Sequence, residues 1–221
     1  LHDALPIFHQ LEEYFAEVLH KPFYIALADE EAVQYLGLDP KEYEVEEQVD
    51  LKDYLYDGEA MRTLAGKKLH KKKNHLNAFM REYEGRYEYR RLCCSDRHEV
   101  WEFMERWRQK KADADALEDS LEYEVAGIHE ILKNCSSLSV RMAAVYVDGQ
   151  MEAFTIGSLN ERENMAVIHI EKANPDIKGL YQFINQQFLV HEFPDVALVN
   201  REDDVGMEGL RKAKMSYNPI G

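Results

Sequence analysis

The segment IHIEKANPDIKGLYQFINQQF, residues 168–188, runs from a β-branched strand into a helix through a turn that carries Lys178 and Gly179. A strand-to-helix turn of this kind presents backbone N–H groups to an anion, and the helix adds the positive end of its dipole. The other reading of Gly179 is that it only shapes the turn. A second cluster, NREDD at 200–204, closes a β-branched run, VALVN. Ends of central strands are where α/β proteins place ligands. Arg201 could grip a carboxylate or phosphate through two parallel donors, with Asn200 beside it. Glu202 or Asp203 could bind a substrate amine or act as a base. The alternative is an ion-pair cluster that caps the next helix around Gly206.

A third chemistry-bearing stretch is RTLAGKKLHKKKNH at 62–75. It holds Arg62, Lys67, Lys68, Lys71, Lys72 and Lys73 with no acid between them. The whole chain carries 27 − 42 = −15, so the rest of it carries −21. So local a basic patch in so acidic a protein invites a polyanion, either a tRNA acceptor stem or an anionic lipid surface. Asn74, His75 and Asn77 follow and add polar contacts to the bound group. The competing reading is a solvated helix face. The overall charge disfavours broad, nonspecific nucleic-acid binding, and DNA is not an expected partner.

His169 alternates with Ile168 and Ile170 and is expected to face away from both; a lone strand histidine is more often packed or hydrogen-bonded than a ligand. No spacing of His, Cys and carboxylates suggests a metal. Cys93, Cys94 and Cys135 make neither a disulfide framework nor a C-x-x-C site, which points to a reducing cytoplasm. No apolar run approaches a membrane span.

The elements that must position these residues follow from periodicity. Phe8, Leu11, Phe15, Val18 and Leu19 predict an amphipathic helix over 8–20. PFYIALA at 22–28 reads as a buried strand. A helix over 29–37 has Asp29 as N-cap and Gly37 as stop. The acidic stretch 42–56 reads as a hairpin or an edge strand. From Leu76, Phe79, Met80 and Tyr83 mark a helix, followed by a strand at 87–92 and helices at about 96–111 and 117–134. VRMAAVYV-DG-QMEAFTIGS is a hairpin about Asp148-Gly149. A strand at 165–173, a helix at 178–191, a strand at 196–200 and a helix at about 207–215 complete the order. The opening LHDALPI has no signal-peptide layout and resembles a translated sequencing adapter, so it is set aside from the fold; both ends of the chain read as cut.

The order β-α-α-β-β-β-α-β-α from residue 87 onward resembles the GNAT acyltransferase fold, an α/β mixed sheet. An echo of its back half in residues 1–57 suggests a tandem pair with the first domain incomplete. GKKLHKKKNHLNAF, DGQMEAFTIG, IHIEKANPDIKGLYQFIN and NREDDVGMEGLRKAKMSYNP resemble the bacterial family named for the phosphatidylglycerol lysyltransferase C-terminal domain. The implied organisation is a first half-domain at 1–57, a connecting basic helix at 58–84, and a second GNAT-like domain at 85–221, truncated at its C-terminus. The resemblance implies transfer of an aminoacyl group from aminoacyl-tRNA to a lipid headgroup or another amine or hydroxyl acceptor. An acyl-CoA N-acyltransferase and a non-catalytic binding module are the alternatives. The expected location is cytoplasmic, either free or at the membrane periphery.

The resemblance also implies roles. Glu171, in the region that GNAT folds splay for catalysis, would be the general base unless it pairs with Lys172 or Arg201; Asp203 is the second candidate. Arg201 and Arg211 would orient the donor. In GNAT enzymes the turn Arg/Gln-x-x-Gly-x-Gly/Ala holds a pyrophosphate, and here it reads Asp176 through Tyr181. Gly179 fits, Lys178 supplies a point charge, and Asp176 and Tyr181 depart from the pattern. The tyrosine that often serves as acid on the last helix is replaced by Arg211-Lys212-Ala213-Lys214, and Tyr217 comes late.

Overall fold

The computed structural model describes residues 5–37, 41, 43–112 and 118–221. Glu42 and Leu117, which open the expected segments 42–56 and 117–134, lie outside the described residues, as do Leu1–Ala4 of LHDALPI. The chain divides into two compact units, Leu1–Gln48 and Val49–Gly221.

In the first unit, α1 (Leu5–Glu13) continues as π-helical turns through Leu19, and α2 spans Glu30–Leu36. Asp29 caps α2 by accepting from the Ala32 N–H at 2.6 Å, and Gly37 ends it in the left-handed region, as the sequence predicts. Phe8 is buried and packs against Phe23 and Tyr43. The expected strand at 22–28 does not form. Those residues are extended or bent, and Tyr24 and Leu27 are 72% and 68% exposed. An apolar run needs a neighbouring strand to become one, and no strand is described in this unit.

The second unit is built on a six-stranded mixed sheet in the order β1-β6-β5-β4-β3-β2. Its strands are β1 (Leu55–Asp57), β2 (Tyr87–Leu92), β3 (Val140–Val147), β4 (Gln150–Asn160), β5 (Met165–Ala173) and β6 (Leu198–Asn200). The β3–β4 hairpin turns on Asp148 and Gly149, both at positive φ, the geometry that Asp-Gly favours. Strict alternation sorts β3 between two cores. Ala143, Val145 and Val147 face α3 (Gly58–Thr63), α4 (His70–Glu82) and α7 (Leu180–Glu192). Met142, Ala144 and Tyr146 face α5 (Arg97–Ala112) and α6 (Glu118–Asn134).

β5 and β6 form the parallel pair, joined only at Met165–Val167 with Leu198–Asn200. Beyond Val167 they separate, and the opening between them is the splay of a GNAT-like sheet. The last helix, α8 (Glu208–Met215), follows β6. Among the described residues no helix is long and apolar enough to cross a membrane.

Several expectations change. Leu55–Asp57 is a strand of this sheet, antiparallel to β6, so residues 49–57 go with the second unit rather than the first. Residues 58–84 are not a connector: Met61, Leu64, Leu69, Leu76 and Phe79 are all buried in the α7-side core. A register shift at Ile156/Gly157 makes His169 the extra residue of β5, so Ile168 and Ile170 point to opposite faces. Cys94 and Cys135, 41 residues apart in sequence, form a disulfide, while Cys93 is free and exposed. The fold brings their Cα atoms to 5.9 Å, which sequence spacing does not reveal.

Candidate functional site

The splay between β5 and β6 is floored by a buried polar cluster. Glu171, one strand position before Lys172, points to the α7 side. Arg201, the first residue past β6, donates from Nη2 to Glu171 Oε1 at 3.0 Å, and the two side chains are only 13% and 9% exposed. The other Glu171 oxygen accepts from Asn185 Nδ2 of α7 at 2.6 Å. Asn185 is 2% exposed, and its Oδ1 has no partner among the described residues. A buried amide oxygen left unpaired costs about 1–3 kcal/mol, so it marks a place where a donor belongs.

Aromatic and cationic groups surround the pair. Arg201, at 5.0 Å, and Lys72, at 4.2 Å from the ring centroid, both stand over the Tyr217 ring. Burial pushes the Tyr217 hydroxyl up to about 12, and it raises Tyr56 beside it to about 12 as well. Burial, and then the charge of Arg201, lower the Lys72 ammonium. Lys214 is buried, and its ammonium donates to the carbonyls of Arg201, Glu202 and Asp203, which fixes the chain as it leaves β6.

The predicted site residues divide sharply. Glu171 and Arg201 come together, in the pairing that was the alternative to a free base. Asp203 does not join them: its carboxylate accepts from the Val205 N–H and shapes the turn. Asn200 donates to Asp53 and accepts from the Glu202 N–H. Arg211 is not free for a donor, because it is spent on Asp204, at 2.8 and 2.9 Å, and on Asp50 at 2.6 Å. Glu202 faces His169.

The turn expected to hold a pyrophosphate is closed by packing. Gly179 has φ +86, and a Cβ on it would lie 2.2 Å from the His75 carbonyl oxygen. The glycine is there so that α4 and α7 can cross in contact. Tyr181 is packed into the adjoining core, and burial raises its hydroxyl. Lys178 is exposed and makes no hydrogen bond or ion pair among the described residues.

The basic segment also splits. Arg62 donates to the Phe193 and Val196 carbonyls, so it holds the end of α7 rather than a polyanion. Lys72 turns inward, whereas Lys71, Lys73, Asn74 and Asn77 are exposed. Asn74 touches His70, and the His75 backbone is the surface against Gly179. Lys67, His70, Lys71 and Lys73 line a cavity of about 720 Å³ with Leu64, Ala65 and Gly66.

The model of the family described as "Phosphatidylglycerol lysyltransferase, C-terminal" matches residues 2–221. The chain belongs to that family. An uncharacterized protein of Mycoplasmoides gallisepticum is 30% identical over 168 residues, 76% of this chain and 52% of that protein, so the chain spans about half the length of that relative. A conserved protein of unknown function from Bacteroides thetaiotaomicron matches with a TM-score of 0.87 and 28% identity, over 98% of this chain and 72% of that one. The C-terminal domain of a protein assigned as a lysylphosphatidylglycerol synthetase in Agrobacterium fabrum shares the fold, with a TM-score of 0.53 and 18% identity over 76% of this chain and 56% of that one. The family brings an acyltransferase-type fold, and the sheet order with its single parallel, splayed pair agrees with it.

Asn185, Lys214 and the inward turn of Lys72 escape the sequence reading. A signal exists for two of them. Asn185 falls on the stripe of Phe183, Ile184, Phe188 and Leu189, and Lys72 on that of Leu69, Leu76 and Phe79. A polar residue on an apolar stripe is the clue.

Proposed function

We propose that this family member is an aminoacyltransferase domain whose splay receives the aminoacyl end of an aminoacyl-tRNA. The observation that carries the reading is the unpaired Asn185 Oδ1 beside the Glu171 carboxylate. An α-ammonium group offers three donors, and an acceptor pair of this kind, buried and held by Arg201, suits it. Lys72 and Arg201, both close to the Tyr217 ring, would supply positive charge where the acyl ester meets the phosphate-bearing nucleotide. Glu171 then acts as a ligand to the ammonium and not as the general base. The closed turn at Gly179 argues against acyl-CoA as donor. The exposed Lys67, Lys71 and Lys73 would engage the nucleic-acid backbone or an anionic headgroup at the cytoplasmic face of a membrane.

The first unit is read as the remainder of a preceding GNAT-like domain.

The test is calorimetry with a 3′-aminoacylamino-adenosine, an amide analogue of the tRNA terminus. Micromolar binding is expected, with a loss of at least tenfold when the amine is acetylated or when Asn185 is changed to Leu. Equal binding of the acetylated analogue, or tighter binding of acetyl-CoA, would sink the reading.

A further inference from the structure

Ser158, His169 and Glu202 form a hydrogen-bonded chain across three strands. Ser158 on β4 meets His169 Nε2 at 2.8 Å, and His169 Nδ1 meets Glu202 Oε1, just past β6, at 2.6 Å. A carboxylate only accepts, so Nδ1 carries the proton toward Glu202. In the neutral ring Nε2 is then the acceptor and takes the Ser158 O–H. This is the connectivity in which a histidine activates a serine while an acid fixes its tautomer.

The backbone holds the three in place. His169 is the extra residue at the register shift of β5, which sets it apart from the apolar alternation around it. Glu202 stands at φ +56, its N–H donates to Asn200 Oδ1 at 2.6 Å, and its carbonyl accepts from Lys214 and from the Tyr54 N–H. A residue held at positive φ by that many contacts is over-determined, which is common at functional positions. The site is open: the His169 and Glu202 side chains are 30% and 43% exposed. Beyond Val167, β5 has no pairing with β6, so its edge toward the splay carries no partner strand among the described residues. Such an edge supplies donors for an oxyanion.

We propose that Ser158, His169 and Glu202 are a nucleophilic site that cleaves carboxylic esters, an activity separate from the transfer reading and not dependent on it. Ser158 Oγ bonds to the acyl carbon as His169 Nε2 takes the hydroxyl proton. The ester C–O bond then breaks, and that proton leaves on the departing alcohol. Water, deprotonated by the same nitrogen, releases the carboxylic acid and restores Ser158. Each step conserves atoms and needs no redox partner.

The experiment treats the full chain with a fluorophosphonate probe, maps the adduct by mass spectrometry, and follows 4-nitrophenyl acetate hydrolysis in parallel. An adduct on Ser158 is expected. The labelling rate should fall at least a hundredfold in His169→Ala and about tenfold in Glu202→Gln, with melting curves confirming that each variant is folded. A folded wild-type chain that carries no adduct on Ser158 overturns the proposal. So does labelling of Ser158 that is unchanged in folded His169→Ala. Because the wild-type adduct alone decides the first point, a variant that fails to fold does not rescue the idea.

Discussion

Two arginine–carboxylate pairs each use one residue of the chain leaving β6, and they are finished differently. Asp204 accepts four hydrogen bonds: two from Arg211, one from Tyr54 and one from the Gly206 N–H. The Arg211 hydrogen bond, above all, holds its carboxyl well below the usual carboxylate range. Every lone pair that matters is used, and the cluster ties β1, β6 and α8 together. Glu171 and Arg201 are both buried, yet the amide that completes them, Asn185, keeps one oxygen empty among the described residues. Saturation marks a structural clamp. A buried acceptor left over, in an otherwise complete network, marks a place prepared for something else.

The largest expected effect breaks the clamp. Asp204→Ala leaves Arg211 and Tyr54 without their main acceptor and should lower the unfolding free energy by about 3 kcal/mol in urea. Asp204 also predicts an acid limb. Its folded pKa lies below the unfolded value, so its contribution is complete above about pH 4 and is lost as pH falls through the folded value. Urea titrations from pH 6 down to pH 2 should show that loss in the parent and a flatter profile in Asp204→Ala.

Gly179→Ala should come next, at about 2–3 kcal/mol, because it meets both the positive φ and the His75 carbonyl. Thermal melting checks it. An alanine tolerated there would reopen the turn as a ligand loop.

Asn185→Leu sharpens the contrast. It removes an empty acceptor but also the donor to Glu171 Oε2, so stability should fall by about 1 kcal/mol, well short of the Asp204→Ala loss, even as the aminoacyl analogue is lost. A loss as large as that of Asp204→Ala would make the two clusters equivalent, and the site reading would fail.

The smallest effect separates the lysines. Lys71→Gln with Lys73→Gln should leave the melting temperature in place and lower the salt slope of tRNA or anionic-vesicle binding by about 2. Lys72→Gln should instead weaken the small analogue, since its ammonium sits on the Tyr217 ring. An identical response from all three would return the segment to a solvated face.

Regular alternation made most of the sheet legible. The bounds of 87–92 and 165–173 match β2 and β5, and the Asp148-Gly149 turn fixed the hairpin register. The strand at 22–28 misled because apolar composition cannot say whether a partner strand exists. Glu171 and Arg201 were reachable because strand ends concentrate in space. Arg211 and Asp203 were misassigned because charge alone does not tell a residue facing a ligand from one facing its own turn. Gly179 looked like a phosphate loop because close approach of a helix and close approach of an anion demand the same missing Cβ. Asp50 and Asp53 gave no warning at all, since their partners lie far along the chain.

That last distance has a kinetic consequence. Tyr54 and Asp204 are 150 residues apart, and Asn200 and Asp53 147 apart, so β1 has no strand to join until β6 has been made. During synthesis β3, β4 and β5 can pair through short turns, β2 joins β3 across the α5–α6 excursion, and the early segment at 53–57 waits as an unpaired strand until synthesis reaches the far side. The β6–β1 side of the sheet, which bounds the splay, is therefore the last part to form. The buried polar cluster is completed in that same late step, because Arg201 and Tyr217 arrive with the strand and helix that close it.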